Sequence, residues 1–466
     1  MLFSEFSSWG FISLIAILLI YMLFANAIKK SVGFLRNSLI PTSVLGGILL
    51  LLTSVIYEAI TGAPFFDTKI FNENGQRSLE ILTYHALALG FIASALKPSK
   101  RKFNKQRNVE IFDSGVTTVA TYLLQAVLGL GITVIVAYFI MPDFFAAAGI
   151  ILPFGYGQGT GQALNWGNVY ESATEYAPFV GGRSFGLTIA ALGFLSASIG
   201  GVIHLNVMKK KGKFTKTQEE LVDKMSLNDI QSAEEIPVNG SMDKLTVQFG
   251  LIFLTYVLTY LLMFGVSQII PKMAETVFGF NFLFGVILAS LVKAVLSFLR
   301  KKNVVKKVYV NDFMMNRISG FFFDLMVIAG IGAIKINVIK DYWIIIAVLG
   351  IVGATSTYIY CRFIAKKLFP EYSEEQFLAT YGMLTGTAST GIILLREIDK
   401  EFITPASDNM VYQQIPAIAL GFPIMILPTF APTQPIMVIL VAFGLFVLMN
   451  IILFRKVIFK KRVKKN

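Results

Sequence analysis

Stretches of about twenty apolar residues, separated by short basic clusters, recur from one end of this chain to the other. A run of that length matches one helical crossing of a bilayer whose hydrocarbon core is about 30 Å thick. Composition points the same way. Of 466 residues, 55% are hydrophobic and 15% charged, with a mean hydropathy of +0.67, too few charges to keep a soluble globular chain hydrated. A secreted disulfide framework, a cytosolic enzyme and a disordered scaffold are thereby excluded. The single cysteine, Cys361, permits no intrachain disulfide. The net charge of +13 falls between the apolar runs, where the positive-inside rule puts it, so it reports topology and not a nucleic-acid partner. The predicted fold class is an all-α polytopic membrane protein.

Residues 1–8 carry Glu5 and no Lys or Arg ahead of the first run, unlike the basic start of a secretory signal. Ala25-Asn26-Ala27 imitates a cleavage site, but Lys29 and Lys30 follow directly, so the run reads as a retained helix with an external N-terminus. Spans are expected near 11–28, 39–57, 80–96, 112–140 and 183–207, then 246–270, 277–299, 318–337, 342–363, 410–430 and 435–454. The polar stretch 208–245 is the expected cytoplasmic linker between repeats 1–207 and 246–430, and 431–466 adds one helix and a basic tail. Two apolar stretches, 144–166 and 377–395, are left out of these eleven crossings. If both crossed, the basic segments would disagree about which side is cytoplasmic; as re-entrant hairpins they leave 34 of the 41 Lys and Arg residues on one side. The C-terminus is then inside, in a plasma (inner) membrane.

In this topology the two hairpins enter from opposite faces, and the order of elements repeats after the linker with inverted direction, a plan common among transporters. The octet Tyr156-Gly157-Gln158-Gly159-Thr160-Gly161-Gln162-Ala163 echoes Tyr381-Gly382-Met383-Leu384-Thr385-Gly386-Thr387-Ala388, each inside its half's hairpin. Gly155, Gly157, Gly159 and Gly161 alternate. At about 1 kcal/mol per glycine relative to alanine, that pattern argues against ordinary helix and for a loop touching a ligand. The competing reading is close helix packing through small residues.

Half-helix N-termini beside such a break suit an anion, and hydroxyl and carbonyl oxygens suit sodium. The substrate candidates are Gly157, Gln158, Gly159, Thr160, Gly161, Gln162 and Asn165 in the first hairpin and Thr385, Gly386, Thr387 and Ser389 in the second. Arg183 could hold a carboxylate bidentately, or be a boundary charge paired with Glu171 or Glu175. Thr160, Thr387, Thr390 and Asp324 are the sodium candidates, with Arg317 as an alternative partner for Asp324. His85 reads as a packed histidine, and Lys293 as a snorkelling one. No P-loop, zinc-protease helix or nucleophile elbow occurs, so neither an enzyme nor a cofactor beyond a coupling ion is expected.

Ile40-Pro41 with Gly46-Gly47, the stretch 88–96, Gly157-Gln158-Gly159-Thr160-Gly161 ending at Trp166, and Phe185-Gly186-Leu187 with Gly200-Gly201 together resemble the bacterial sodium/glutamate symporter family. The first hairpin of that family reads Gly-Gly-His-Gly-Thr-Gly; Tyr156 and Gln158 replace a Gly and the His of that motif, and the second hairpin departs further. The resemblance implies sodium-coupled uptake of an acidic amino acid by a homodimer, in which a scaffold holds a mobile domain carrying both hairpins. Another small organic anion such as a di- or tricarboxylate, a passive channel, and a non-transporting receptor are the alternatives.

Overall fold

The computed structural model describes residues 6–36, 39–97, 104–210, 242–271, 274–399 and 404–458. Of the expected linker, residues 211–241 lie outside the described residues, as do Lys400 and the tail from residue 459. The described residues are helical, with no strand among them: α1 (Phe6–Ser31), α2 (Thr42–Thr61), α3 (Gly75–Leu96), α4 (Lys105–Phe139), α5 (Leu152–Gln158), α6 (Thr160–Glu171) and α7 (Gly182–Lys210) form the first half. The second half comprises α8 (Lys244–Ile269), α9 (Asn281–Lys301), α10 (Asp312–Gly332), α11 (Trp343–Leu368), α12 (Ser373–Thr385), α13 (Ala388–Arg396), α14 (Ala406–Tyr412), α15 (Gln414–Phe430) and α16 (Pro435–Leu453).

Ten of these helices are long and apolar enough to cross a membrane, and α14 with α15, bent by 50° at their junction, makes eleven when the pair is counted as one broken span. This is an all-α polytopic membrane protein. The break corrects the continuous helix expected over 410–430. Pro416 has no N–H to give the Tyr412 carbonyl four residues earlier, which interrupts the ladder where the bend falls.

The hairpins are present, with altered limits. The first runs as two helices, α5 and α6, to Glu171 and not to 166, and the second begins at Ser373. Their arms fold back antiparallel: the Phe154 and Trp166 rings lie 5.7 Å apart, Phe145 meets Tyr170 at 5.1 Å, and Gly391 packs against Ala379 and Met383. Each hairpin therefore returns to the end of the bundle from which it came.

Helix pairings carry the inverted repeat. Equivalent helices run antiparallel across the centre: Gln76 donates to the Ala333 carbonyl while Lys97 reaches Asn316, aligning α3 against α10. Gln125 reaches Thr357 while Cys361 meets Thr121, aligning α4 against α11. Reciprocal pairs run parallel, α2 on α10 through Gly46–Ile328 and Leu50–Gly332, and α9 on α3 through Gly285–Ile92 and Lys293 donating to the Ala95 carbonyl. Lys97, Arg107, Arg362 and Arg455 gather at one end, bound to Asn316, Tyr372, Glu374 and Asp113. The second hairpin enters from this basic end, where Arg362 and His204 both bind Glu374 at the start of α12.

Candidate functional site

The tips of the two hairpins meet halfway along the bundle. The first turns at Gly159, whose φ of +80° and ψ of −171° lie in a region open to glycine and strained for other residues. A Cβ there would lie 3.3 Å from Thr387 Cγ2 of the second tip. Around the junction stand the middles of α4, α7, α10 and α11: Tyr122 donates to the Gly157 carbonyl, Phe194 and Met326 approach Gly159, and Gln125 donates to Thr357 and the Leu384 carbonyl. The paired tyrosines converge on one residue: Tyr156 Oη lies 3.0 Å from Ser196 Oγ, and Tyr381 donates to the Ser196 carbonyl.

The tips differ in register. Aligned on their tyrosines, Gly159 corresponds to Leu384, and a leucine cannot take a φ of +80° at acceptable cost. The second hairpin stays helical until Gly386 and turns over Gly386 and Thr387. A single glycine, not an alternating glycine loop, makes the first break. Gly155 and Gly157 are inside α5 and Gly161 is inside α6, where side chains would collide with Ile189, Tyr122 and Leu87 respectively. Close packing, the competing reading, accounts for those three.

Two helices thus begin at mid-depth, α6 at Thr160 and α13 at Ala388. Neither α6 nor α13 starts with a capping side chain, a property they share with α2, α3, α9, α11, α12 and α16. The first bonds into α6 and α13 are Ala163 N–H to Gly159 and Gly391 N–H to Thr387. The N–H groups ahead of them, with the positive ends of both dipoles, point toward the junction. Three glutamines have buried atoms with no hydrogen-bond partner: Gln125 Oε1 beside the second tip, Gln158 Oε1, next in sequence to Gly159 with its amide nitrogen toward Met425, and both amide atoms of Gln162, a residue 1% exposed in the first turn of α6. Each such atom costs about 1–3 kcal/mol if nothing binds it.

The candidate residues separate accordingly. Gln158, Gly159, Thr160, Gln162, Thr385, Gly386, Thr387 and Thr390 lie at or beside the junction, the hydroxyls of Thr387 and Thr390 3.5 Å apart. Thr160 donates to the Met326 carbonyl and Thr385 to that of Tyr381, which leaves lone pairs on both hydroxyls. The Ser389 side chain lies outside the described residues. Asn165 is elsewhere, donating to Gly279 at the end of the short helix Ala274–Gly279 before α9. Arg183 is not at the tips: it begins α7, eleven residues or about 16 Å of helix from Phe194, held by Asn168, Glu80 and Glu171. Arg183 thus forms boundary pairs with Glu80 and Glu171. Asp324 bonds Ser43 on α2, while Arg317 stacks on Phe313.

Gln125 carries no sequence signal, because a lone uncharged glutamine in the middle of an apolar span has no motif around it. Compared with protein-family models and with curated proteins, the chain matches none.

Proposed function

We propose that this protein is a secondary active transporter, carrying glutamate or a related acidic amino acid in symport with sodium by alternating access. One observation carries the reading: two uncapped helix N-termini meet at mid-depth beside buried amides without partners. An anionic carboxylate entering there would accept from the free N–H groups and from the amide nitrogen of Gln162, desolvated and therefore strongly held. Sodium would take oxygens from Thr387, Thr390 and Thr160 with exposed carbonyls, and by neutralising the site would raise substrate affinity. The hairpin tips meet α3 and α10 through small residues, Gly161 against Leu87 and Gly330 against Thr160, a surface along which a hairpin-bearing body could slide. The assembly proposed with it is a homodimer with its N-terminus outside and C-terminus inside.

The resemblance to sodium/glutamate symporters supports the cargo through the glycine frame of the first hairpin. The engagement of Arg183 with Glu80 and Glu171 favours a second reading within the same class, transport of another small organic anion recognised by helix termini and amides alone. Uptake of labelled L-glutamate into proteoliposomes, with and without an inward sodium gradient, tests both. Saturable, sodium-dependent uptake is expected. Competition by a dicarboxylate without loss of sodium dependence selects the second reading, and flux that neither saturates nor needs sodium overturns the transporter.

A further inference from the structure

Away from the hairpin tips, a groove of about 300 Å³ opens on the outer surface between α7 and the start of α11. It is lined by Thr188 and Leu192 on one side and by Ile339, Lys340, Trp343 and Ile346 on the other. Its walls are apolar apart from its mouth. Ile339 and Ile346 are buried in its floor, Leu192 closes its inner end against Gly350, and Trp343 stands 65% exposed at its rim. From Trp343 to Gly350 the groove runs about 10 Å along the helix. Ile344, Val348 and Ile351 on α11 are exposed along the same stretch of helix. Lys340 lines the mouth and is exposed, as are Lys335 and Asp341 of the same connector, at the end of the bundle opposite the basic one.

We infer that this groove binds a phospholipid, one acyl chain lying along Leu192 and Ile346 and the phosphate held at Lys340. An aromatic ring and a lysine at a helix end mark headgroup depth, and an apolar slot below them matches an acyl chain. Lys340, the charged residue that lines the groove, supplies a cation for a phosphate. The connector that floors the groove, residues 333–343, joins α10 to α11, so a bound lipid would bridge that junction and α7, which packs on both hairpins.

The purified full-length protein in detergent, incubated with phosphatidylglycerol bearing a photoactivatable acyl chain, tests this by mapping labelled peptides. Label concentrated in 336–347 and 188–192, and displaced by unlabelled phosphatidylglycerol, is expected. Ala347→Trp, which fills the groove, should reduce the label at least tenfold, whereas Val348→Trp, on the exposed face beside it, should not. Leu192→Trp serves the same purpose if Ala347→Trp is not monodisperse. Label spread evenly over the exposed faces of α8 and α16, or unchanged in the groove-filling variants, overturns the site. Equal competition by diacylglycerol, which has no phosphate, overturns the role of Lys340.

Discussion

Gly159 and Gln162 are neighbours in sequence, yet they answer to opposite physical demands. Gly159 serves its backbone: alanine there would meet a conformation costing about 1–3 kcal/mol and bring its Cβ to 3.3 Å from Thr387. Gly159→Ala is expected to lower the thermal midpoint in detergent and to cut uptake at least tenfold, and unchanged uptake would sink the assignment of the tip. In the proposed mechanism Gln162 serves the ligand. Because its buried amide has no partner, Gln162→Met should leave the thermal midpoint level or higher by relieving about 1–3 kcal/mol of unmet desolvation, while substrate-induced stabilisation disappears. Gln125→Met contrasts with it. Gln125 donates to Thr357 and Leu384, so its loss strands two acceptors and should destabilise by about 1–3 kcal/mol. At this scale glycine and glutamine were visible in sequence, but which glycine turns and which packs was not, since that depends on Tyr122, Ile189 and Leu87, remote residues that fill the space beside three of the four.

Between elements, the contact of α6 with α3 is where alternating access would show itself. A Cβ on Gly161 would lie 2.9 Å from that of Leu87, close to the range bridged by a disulfide. In a Cys361→Ala background, Gly161→Cys with Leu87→Cys should stop uptake on oxidation and recover it on reduction. The pair Gly47→Cys and Ile331→Cys, joining α2 to α10, should leave uptake unaffected by oxidation; an arrest by both pairs would contradict a sliding hairpin body. The entry of the second hairpin is held electrostatically. Burial raises the Glu374 carboxyl, but hydrogen bonds from Arg362 and His204 outweigh it and hold the group below the ordinary carboxylate value. Stability from such a depressed acid is full above the unfolded value near 4.5 and is lost as pH falls through the folded one. Amide exchange over 373–380 should therefore accelerate below about pH 4.5, and Glu374→Gln should flatten that response. Both hairpins were legible as elements because charge placement forbade them to cross. Their limits were not, because the sequence alignment on Tyr156 and Tyr381 sets a turning glycine against Leu384.

For the whole molecule, charge sidedness predicts an orientation that labelling can read. A cysteine at Lys302, beyond the basic end of α9, should react with an impermeant thiol reagent only from the cytoplasmic side, and one at Asp341 only from outside; the reverse pattern would invert the proposed topology. The number of spans, the paired hairpins and their opposite entry followed from sequence alone, because hydrocarbon thickness and basic clusters act on each segment by itself and need no partner to be read. Tertiary structure alone decided what meets what. It brought residue 159 to residue 387, withdrew Arg183 and Asp324 from the junction into pairings with Glu80, Glu171 and Ser43, and placed Gln125 there instead. The reason is that a polar group's role inside a membrane depends on whether a neighbour has already satisfied it, and the neighbours come from helices tens to hundreds of residues away.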